Sequence, residues 1–154
     1  MNIKDICVCD WIVDTRGVCR QVVPQDFEGS NTLNGCNAEW FLPVTLTPSV
    51  LEKNGFVKTQ VWGGESNAIY EYKYEVIEKK SLSFSDSSNL KFDKIESCVV
   101  EADDEKIRKI HIKVFNLDGA YELELVDTYG EYHIHELQHA FKQCKMNKDI
   151  DRII

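Results

Sequence analysis

The sequence predicts an α+β fold with a mainly antiparallel sheet, a short internal helix and a C-terminal helix packed on the sheet. Three observations carry this prediction. Apolar residues alternate with polar ones over most of the chain between residues 56 and 127. A short segment at 47–54 has helix start and stop signals, and an amphipathic segment at 134–145 has helical spacing.

Extended segments account for most of the chain. β-branched and aromatic residues separated by Gly-, Asp- and Asn-containing turns predict strands at 6–14, 18–23, 40–46, 56–62, 68–77, 96–101, 107–115 and 120–127. Segments 26–37 and 80–93 are polar and predict loops, with a short strand near 82–84 in the second. Lys109, His111 and Lys113 alternate with apolar residues, so we expect them on the outer face of the sheet. Opposite charges across strands, from Glu122 and Glu124, would balance that face.

The short internal helix is predicted from its two ends. The Thr47 hydroxyl can cap the free amides, Pro48 suits the first helical position, and Gly55 supplies a left-handed stop. Val50 and Leu51 then face the core. We favour this structural interpretation over a phosphate site at the helix start, because proline removes one amide and no basic residue is adjacent.

The C-terminal helix contains the motif His135-Glu136-x-x-His139. In metalloproteases this spacing provides two zinc ligands and a general base, so a hydrolase with His135 and His139 as ligands and Glu136 as base is the alternative function. A catalytic site also needs a third protein ligand. Asp149 and Asp151 lie in a tail, 145–154, that we expect at the surface.

Helical geometry favours a different interpretation of these histidines. The apolar residues of the segment share one face at a spacing of about 100° per residue: Ile134, Leu137, Phe141 and Cys144, with Ala140 at the edge. His135 and His139 then point away from the sheet, together with Gln138 and Lys142. This arrangement predicts a solvated polar face, with no metal and no cofactor.

Three segments resemble those of a known family. The segment 134–140, Ile-His-Glu-Leu-Gln-His-Ala, is similar to the "V-H-x-L-Q" ending of small proteins without an assigned chemistry in Bacteroides-type bacteria and their phages. The segment 42–56 resembles that family's "P-I-x-L-T-P-E-x-L-x-x-x-G-F", and the start of the chain, 3–14, is similar to "L-R-I-G-N-W-V". In the family the position of His139 is often Asn. The resemblance implies a phage or mobile-element origin and carries no catalytic residues.

Length, net charge and cysteine content limit the classes of partner and the cellular compartment that we expect. A length of 154 residues predicts a single domain, 1–154, with a β-rich N-terminal lobe at 1–46. The formal net charge of −8 argues against a nucleic-acid polymer as partner. The sequence contains no apolar run long enough to span a membrane and no signal-peptide pattern, and its six cysteines form no C-x-x-C. We therefore expect reduced thiols in a cytoplasm, that of the host cell if the protein is phage-encoded.

The favoured functional hypothesis is a non-catalytic accessory protein, not an enzyme. It would bind a host protein or sequester a small signalling molecule such as an immune nucleotide; a virion structural or assembly component is a further alternative. The candidate contacts are a ring at a flexible strand end, glycines that allow close approach, a tyrosine ladder and nearby cations. These residues are Trp62, Gly63, Gly64, Tyr70, Tyr72, Arg16 and Arg20.

Overall fold

The structure, a computed structural model, describes residues 10–14, 16–27, 42–63, 68–79, 92–103, 106–116, 118–126 and 131–153. Among these residues no helix is both long enough and apolar enough to cross a membrane. Parts of the predicted strands 6–14, 40–46 and 120–127 and of both predicted loops lie outside the described residues, as do the short strand predicted near 82–84 and Gly64.

Two antiparallel sheets and two α-helices form the described fold, which confirms the α+β prediction. The smaller sheet has the order β2-β1-β3, and the larger has the order β4-β5-β6-β7-β8. The strands are β1 (Trp11–Val13), β2 (Cys19–Gln21), β3 (Leu42–Pro43), β4 (Val57–Trp62), β5 (Ile69–Lys79), β6 (Phe92–Ala102), β7 (Ile107–Asn116) and β8 (Gly119–Val126). The helices are α1 (Pro48–Lys53) and α2 (Ile134–Gln143), and a 3-10 turn covers Pro24–Phe27.

The large sheet separates an apolar face from a charged one, as its alternation predicts. Ile110, Ile112 and Val114 of β7 are buried in the core. On the outer face Lys109 Nζ lies 2.8 Å from Glu124 Oε2, and Lys113 Nζ and His111 Nε2 lie 3.3 and 2.7 Å from Glu122 Oε1. The predicted cross-strand charge pairing is confirmed, and it explains this face without a ligand.

Helix α1 begins and ends where its sequence signals place it. Thr47 Oγ1 accepts a hydrogen bond from Val50 N at 3.4 Å, and Gly55 adopts a φ of +83°, which favours glycine. Val50 and Leu51 are buried, as predicted. The helix thereby fixes the segment between the two sheets.

Helix α2 is buried on more sides than an amphipathic helix on a sheet would be. Its predicted apolar stripe is in the core, which confirms that part of the prediction. The prediction that His135 and Gln138 lie on a solvated face is wrong, because both side chains are buried. Gln138 Nε2 donates a hydrogen bond of 2.8 Å to Asp149 Oδ1 in the C-terminal tail, so the tail covers this side of the helix.

The tail itself corrects a second prediction, that residues 145–154 lie at the surface. Ile150 is fully buried, and its carbonyl accepts a hydrogen bond of 2.8 Å from Trp11 Nε1. The buried Asn54 side chain holds the tail backbone: Oδ1 accepts from Asp151 N and Arg152 N at 3.0 and 3.1 Å, and Nδ2 donates to the Arg152 carbonyl at 2.7 Å. One side-chain amide thus satisfies three main-chain groups of the tail.

Main-chain hydrogen bonds position the start of α2. Leu46 N donates to the Tyr132 carbonyl at 2.8 Å, and Ile134 N donates to the Val44 carbonyl at 2.9 Å. An isolated antiparallel bridge joins Thr45 and His133 between them. The segment that leads into α1 therefore lies against the segment that leads into α2, and the HExxH motif is held next to the N-terminal sheet.

Candidate functional site

A buried carboxylate of the N-terminal segment meets the second histidine of the motif. Asp10 is 1% exposed, and its two oxygens lie 3.1 and 3.0 Å from His139 Nε2. The main chain of Asp10 is also held, because its carbonyl accepts a hydrogen bond of 2.8 Å from Val22 N. A carboxylate oxygen accepts hydrogen bonds, so this geometry puts the proton of a neutral His139 on Nε2 and leaves Nδ1 as an acceptor.

His139 therefore does not belong to a solvated polar face, contrary to the prediction. Its side chain is 33% exposed, so part of the ring remains accessible while Asp10 fixes its orientation. A buried aspartate that orients a partly exposed histidine is the arrangement by which proteins define the tautomer and direction of an imidazole.

The His135 ring lies between the rings of His133 and His139. Its ring centroid is 5.7 Å from that of His133 and 5.9 Å from that of His139. His135 is 8% exposed, and its Nδ1 has no hydrogen-bond partner within the described part of the chain. Burial lowers the pKa of His135 below its usual 6.5, against the opposing effects of the Glu136 and Asp10 carboxylates, so the neutral form is favoured at pH 7.

Glu136 caps the first turn of α2. Its Oε2 accepts a hydrogen bond of 2.8 Å from His133 N and lies 3.3 Å from His133 Nδ1. This is the carboxylate half of a capping box, and it places a negative charge at the positive end of the helix. The general-base role of the alternative hypothesis would need this carboxylate beside a metal-bound water instead.

The motif residues do not fit a catalytic zinc site. His139 Nε2 is directed at Asp10, His135 Nδ1 is buried, and Glu136 caps the helix. Within the described ranges, no group of three His, Cys, Asp or Glu side chains is arranged to hold a metal ion. A zinc hydrolase needs three protein ligands and an open coordination position, so no zinc chemistry is assigned to this motif.

A cleft of about 430 Å³ lies beside His139, between edge strand β8 and helix α2. We call it the β8–α2 cleft. Its lining consists of apolar side chains with a few polar groups: Leu123, Glu124, Leu125, Val126, Tyr132, Glu136, His139, Ala140 and Gln143. Leu123 and Leu125 are only partly buried, because β8 is at the edge of the described sheet and α2 leaves part of its inner face uncovered.

The cleft combines an apolar surface with negative charge. Glu124 and Glu136 are its acidic lining residues, and neither lysine nor arginine is among the described residues that line it. Glu124 is already paired with Lys109 on the outer face of the sheet, at 2.8 Å, so Glu136 carries the negative charge of the cleft. Tyr132 Oη donates a hydrogen bond of 3.0 Å to the Leu125 carbonyl, which uses one main-chain acceptor of the strand. His139 is the polar group whose orientation is fixed. The cleft can therefore hold an apolar ligand that carries hydrogen-bond donors or a positive charge.

The predicted contacts in the N-terminal lobe are occupied within the protein. Arg20 donates to both oxygens of Asp26, at 2.7 and 2.8 Å, and Arg16 donates to Asp14 at 3.2 Å. The Asp14 carboxylate lies between both arginines, 3.6 Å from Arg20 Nε. These cations neutralise their own lobe, and the structure does not bring them to the other predicted contacts on β4 and β5.

The remaining predicted contacts lie on the first two strands of the large sheet. Trp62 is 60% exposed at the end of β4, and Gly63 follows it with a φ of +99°. Lys58 Nζ lies 3.4 Å above the Tyr70 ring. Tyr72 is 3% exposed on the core face, so the prediction that it stacks on a ligand is wrong: the core already covers its ring.

Sequence analysis missed Asp10 and the cleft residues of β8. The signal for Asp10 was an acidic residue between Cys9 and Trp11, inside an apolar run, where a charge needs a buried partner. The alternation of β8 predicts Leu123 and Leu125 as ordinary core residues, because their incomplete burial depends on the position of α2.

Comparisons with protein-family models, with curated proteins and with solved structures find no match to this chain.

Proposed function

We propose that this protein is a non-catalytic binding protein that takes a small ligand in the β8–α2 cleft. The observation that carries the proposal is the Asp10–His139 pair, which fixes a partly exposed imidazole at the wall of an apolar cleft of about 430 Å³. That volume is within the range of small-molecule sites, about 300–1,000 Å³, and such sites combine apolar walls with a few oriented polar groups.

Charge defines the class of ligand. Glu136 disfavours a phosphate or a carboxylate in this cleft, since neither lysine nor arginine is among its described lining residues. Glu124 contributes less, because Lys109 pairs with it on the outer face. An apolar ring or chain that carries an ammonium group suits the cleft better, with the apolar part on Leu125 and Ala140 and the charge near Glu136. The proposal keeps the sequestration hypothesis and assigns a cation, rather than an immune nucleotide, to this cleft.

Binding is favoured over catalysis because the cleft lacks the aliphatic hydroxyl or thiol partner that an oriented histidine usually activates. An oriented histidine can accept a proton from Ser, Thr or Cys. None of these residue types is among the described residues that line the cleft. In its neutral form His139, held by Asp10 through Nε2, offers Nδ1 to the ligand as an oriented hydrogen-bond acceptor.

A second candidate is the binding of a host protein through the edge of β8. Within the described sheets β8 pairs with β7 alone, and Val126 near its end is 67% exposed. An extended segment of a partner can add to such an edge through main-chain hydrogen bonds. This candidate needs a partner protein, whereas the small-ligand proposal does not.

The test uses two probes with the same ring and opposite charge, tryptamine and indole-3-propionate, titrated into ¹⁵N-labelled protein. We expect saturable amide shifts at Ala140 and Gln143 with tryptamine and none there with indole-3-propionate. Glu136→Gln, which keeps a side-chain acceptor for His133 N, should weaken tryptamine binding. Glu122→Gln is the charge-matched control, because Glu122 lies on β8 outside the cleft lining. Absence of a saturable response to tryptamine at α2 would overturn the proposal in favour of the protein-partner candidate.

A further inference from the structure

A second cavity, of about 520 Å³, lies where the N-terminal sheet, the end of α1 and the C-terminal tail meet. We call it the Trp11 cavity. Its lining comprises one residue from each of β1, β2 and α1 and three from the tail: Trp11, Cys19, Lys53, Asp151, Arg152 and Ile153. It shares no lining residue with the β8–α2 cleft. A ligand here would therefore be independent of one in that cleft.

The frame of the Trp11 cavity is fixed by hydrogen bonds. The Trp11 indole donates from Nε1 to the Ile150 carbonyl at 2.8 Å, which sets the plane of the ring. The backbone of Arg152 is held on both sides by Asn54, through its N–H at 3.1 Å and its carbonyl at 2.7 Å. Asn54 is itself buried and donates to the Val50 carbonyl at 2.8 Å. A preformed frame reduces the entropy that a ligand must lose on binding.

The cavity carries two cations that have no ion-pair partner in the described part of the chain. Lys53 and Arg152 are exposed, and neither forms an ion pair with another residue of the described chain. Asp151 is the one acidic residue among the described lining, so the lining has an excess of positive charge. This excess contrasts with the formal net charge of −8 of the whole protein and with the two glutamates of the β8–α2 cleft.

We propose that the Trp11 cavity binds a small aromatic anion, a planar ring that carries a carboxylate or a phosphate. The ring lies against the Trp11 indole, since aromatic rings stack in offset or edge-to-face geometry. The anionic group contacts Arg152, whose planar guanidinium matches the two oxygens of a carboxylate or phosphate, and Lys53 adds a second positive charge. The volume of about 520 Å³ accommodates a ligand of this size.

The test follows the indole Nε1–H resonance of Trp11, assigned by its loss in Trp11→Phe, during titration with indole-3-propionate and with phenyl phosphate. We expect a saturable shift with at least one of these anions and none with tryptamine, which has the ring and the opposite charge. Comparison of the two affinities identifies the preferred anionic group. A Trp11 response to tryptamine that equals or exceeds the response to both anions contradicts the proposal.

Two variants distinguish a specific contact of the anion with Arg152 from nonspecific attraction of the anion to a positively charged residue. Arg152→Gln, an exposed residue, should weaken binding of the preferred anion about three- to tenfold, as expected for the loss of one charge-assisted contact. Lys113→Gln removes one positive charge from the outer face of β7 and should leave the affinity unchanged. Equal weakening by the two variants would overturn the proposal. Arg152→Gln should also leave tryptamine binding at the β8–α2 cleft unchanged. The two binding proposals are therefore tested independently of each other.

Discussion

Asp10 and His139 are 129 residues apart in the sequence, and the His139 Nε2 lies 3.0 Å from Asp10 Oδ2. The contact joins the N-terminal segment to helix α2, and the carboxylate is 1% exposed while the imidazole reaches the β8–α2 cleft. A buried carboxylate is already removed from water. If it loses a hydrogen-bond donor, the free-energy cost of that desolvation remains and the compensating hydrogen bond is gone. The pair therefore couples the stability of the fold to the geometry of the cleft.

Replacing His139 should cost more than a surface substitution. We expect His139→Ala to lower the free energy of unfolding by about 1–3 kcal/mol, because Asp10 loses this donor inside the protein. Lys142→Ala, an exposed position on the same helix, should change it by less than about 0.5 kcal/mol. Urea unfolding of both variants measures the difference, and equal values for the two would show that the Asp10–His139 contact is absent in solution.

Substitutions in the apolar stripe of α2 should have the largest effects on the free energy of unfolding. Leu137→Ala and Phe141→Ala should each lower the free energy of unfolding by about 2–5 kcal/mol, since both side chains are fully buried. Calorimetric or denaturant unfolding detects such losses, with Gln143→Ala as the exposed comparison. Values below about 1 kcal/mol at Leu137 and Phe141 would mean that α2 is rotated away from the core.

Acid should weaken the fold through His135. In the unfolded chain this residue binds a proton as the pH falls through about 6.5, whereas burial holds its pKa lower in the folded protein. Between these two pKa values the unfolded state binds more protons, so stability falls as the pH decreases, by up to about 1.4 kcal/mol per pH unit.

The His135→Gln variant isolates this contribution. Unfolding free energies of the variant and the parent, compared between pH 7.5 and 5.5, should show a shallower pH dependence in the variant. Gln143→Ala, an exposed position of the same helix without a titrating group, should retain the parent's slope. A His135→Gln profile parallel to that of the parent would contradict the assignment.

Metal content tests the alternative reading of the HExxH motif. We expect less than stoichiometric zinc in protein purified without chelator, because His139 is directed at Asp10 and Glu136 caps the helix. Elemental analysis of the parent and of His139→Ala decides this point. About one zinc per chain that disappears in the variant would revive the hydrolase hypothesis.

Local patterns predicted the secondary structure of the described chain well. Alternation placed Ile110, Ile112 and Val114 in the core, and Thr47 and Gly55 marked the ends of the short helix. These features depend on neighbours in the sequence or on one face of a strand, which periodicity encodes.

The environment of α2 could not be predicted in the same way. A single apolar stripe implies one buried face, yet His135 and Gln138 are buried because the N-terminal segment and the tail also cover the helix. Asn54 and Trp11 hold that tail through contacts with residues about 100 and 140 positions away. Contacts at that separation leave no periodic signal in the chain. The β8–α2 cleft likewise depends on where α2 lies against β8, so the sequence pointed instead to the end of β4 and to the N-terminal arginines.

The most direct test of the binding proposal is the measurement of intermolecular NOEs between tryptamine and methyl-labelled protein. We expect NOEs from the indole ring to the methyl groups of Leu123, Leu125 and Ala140, which line the β8–α2 cleft. We expect these NOEs to disappear in Gln143→Phe, an exposed lining position from which a ring would occupy the cleft. A complete absence of such NOEs at saturating tryptamine, or NOEs only to residues outside the cleft, would contradict the claim that this cleft is the ligand site.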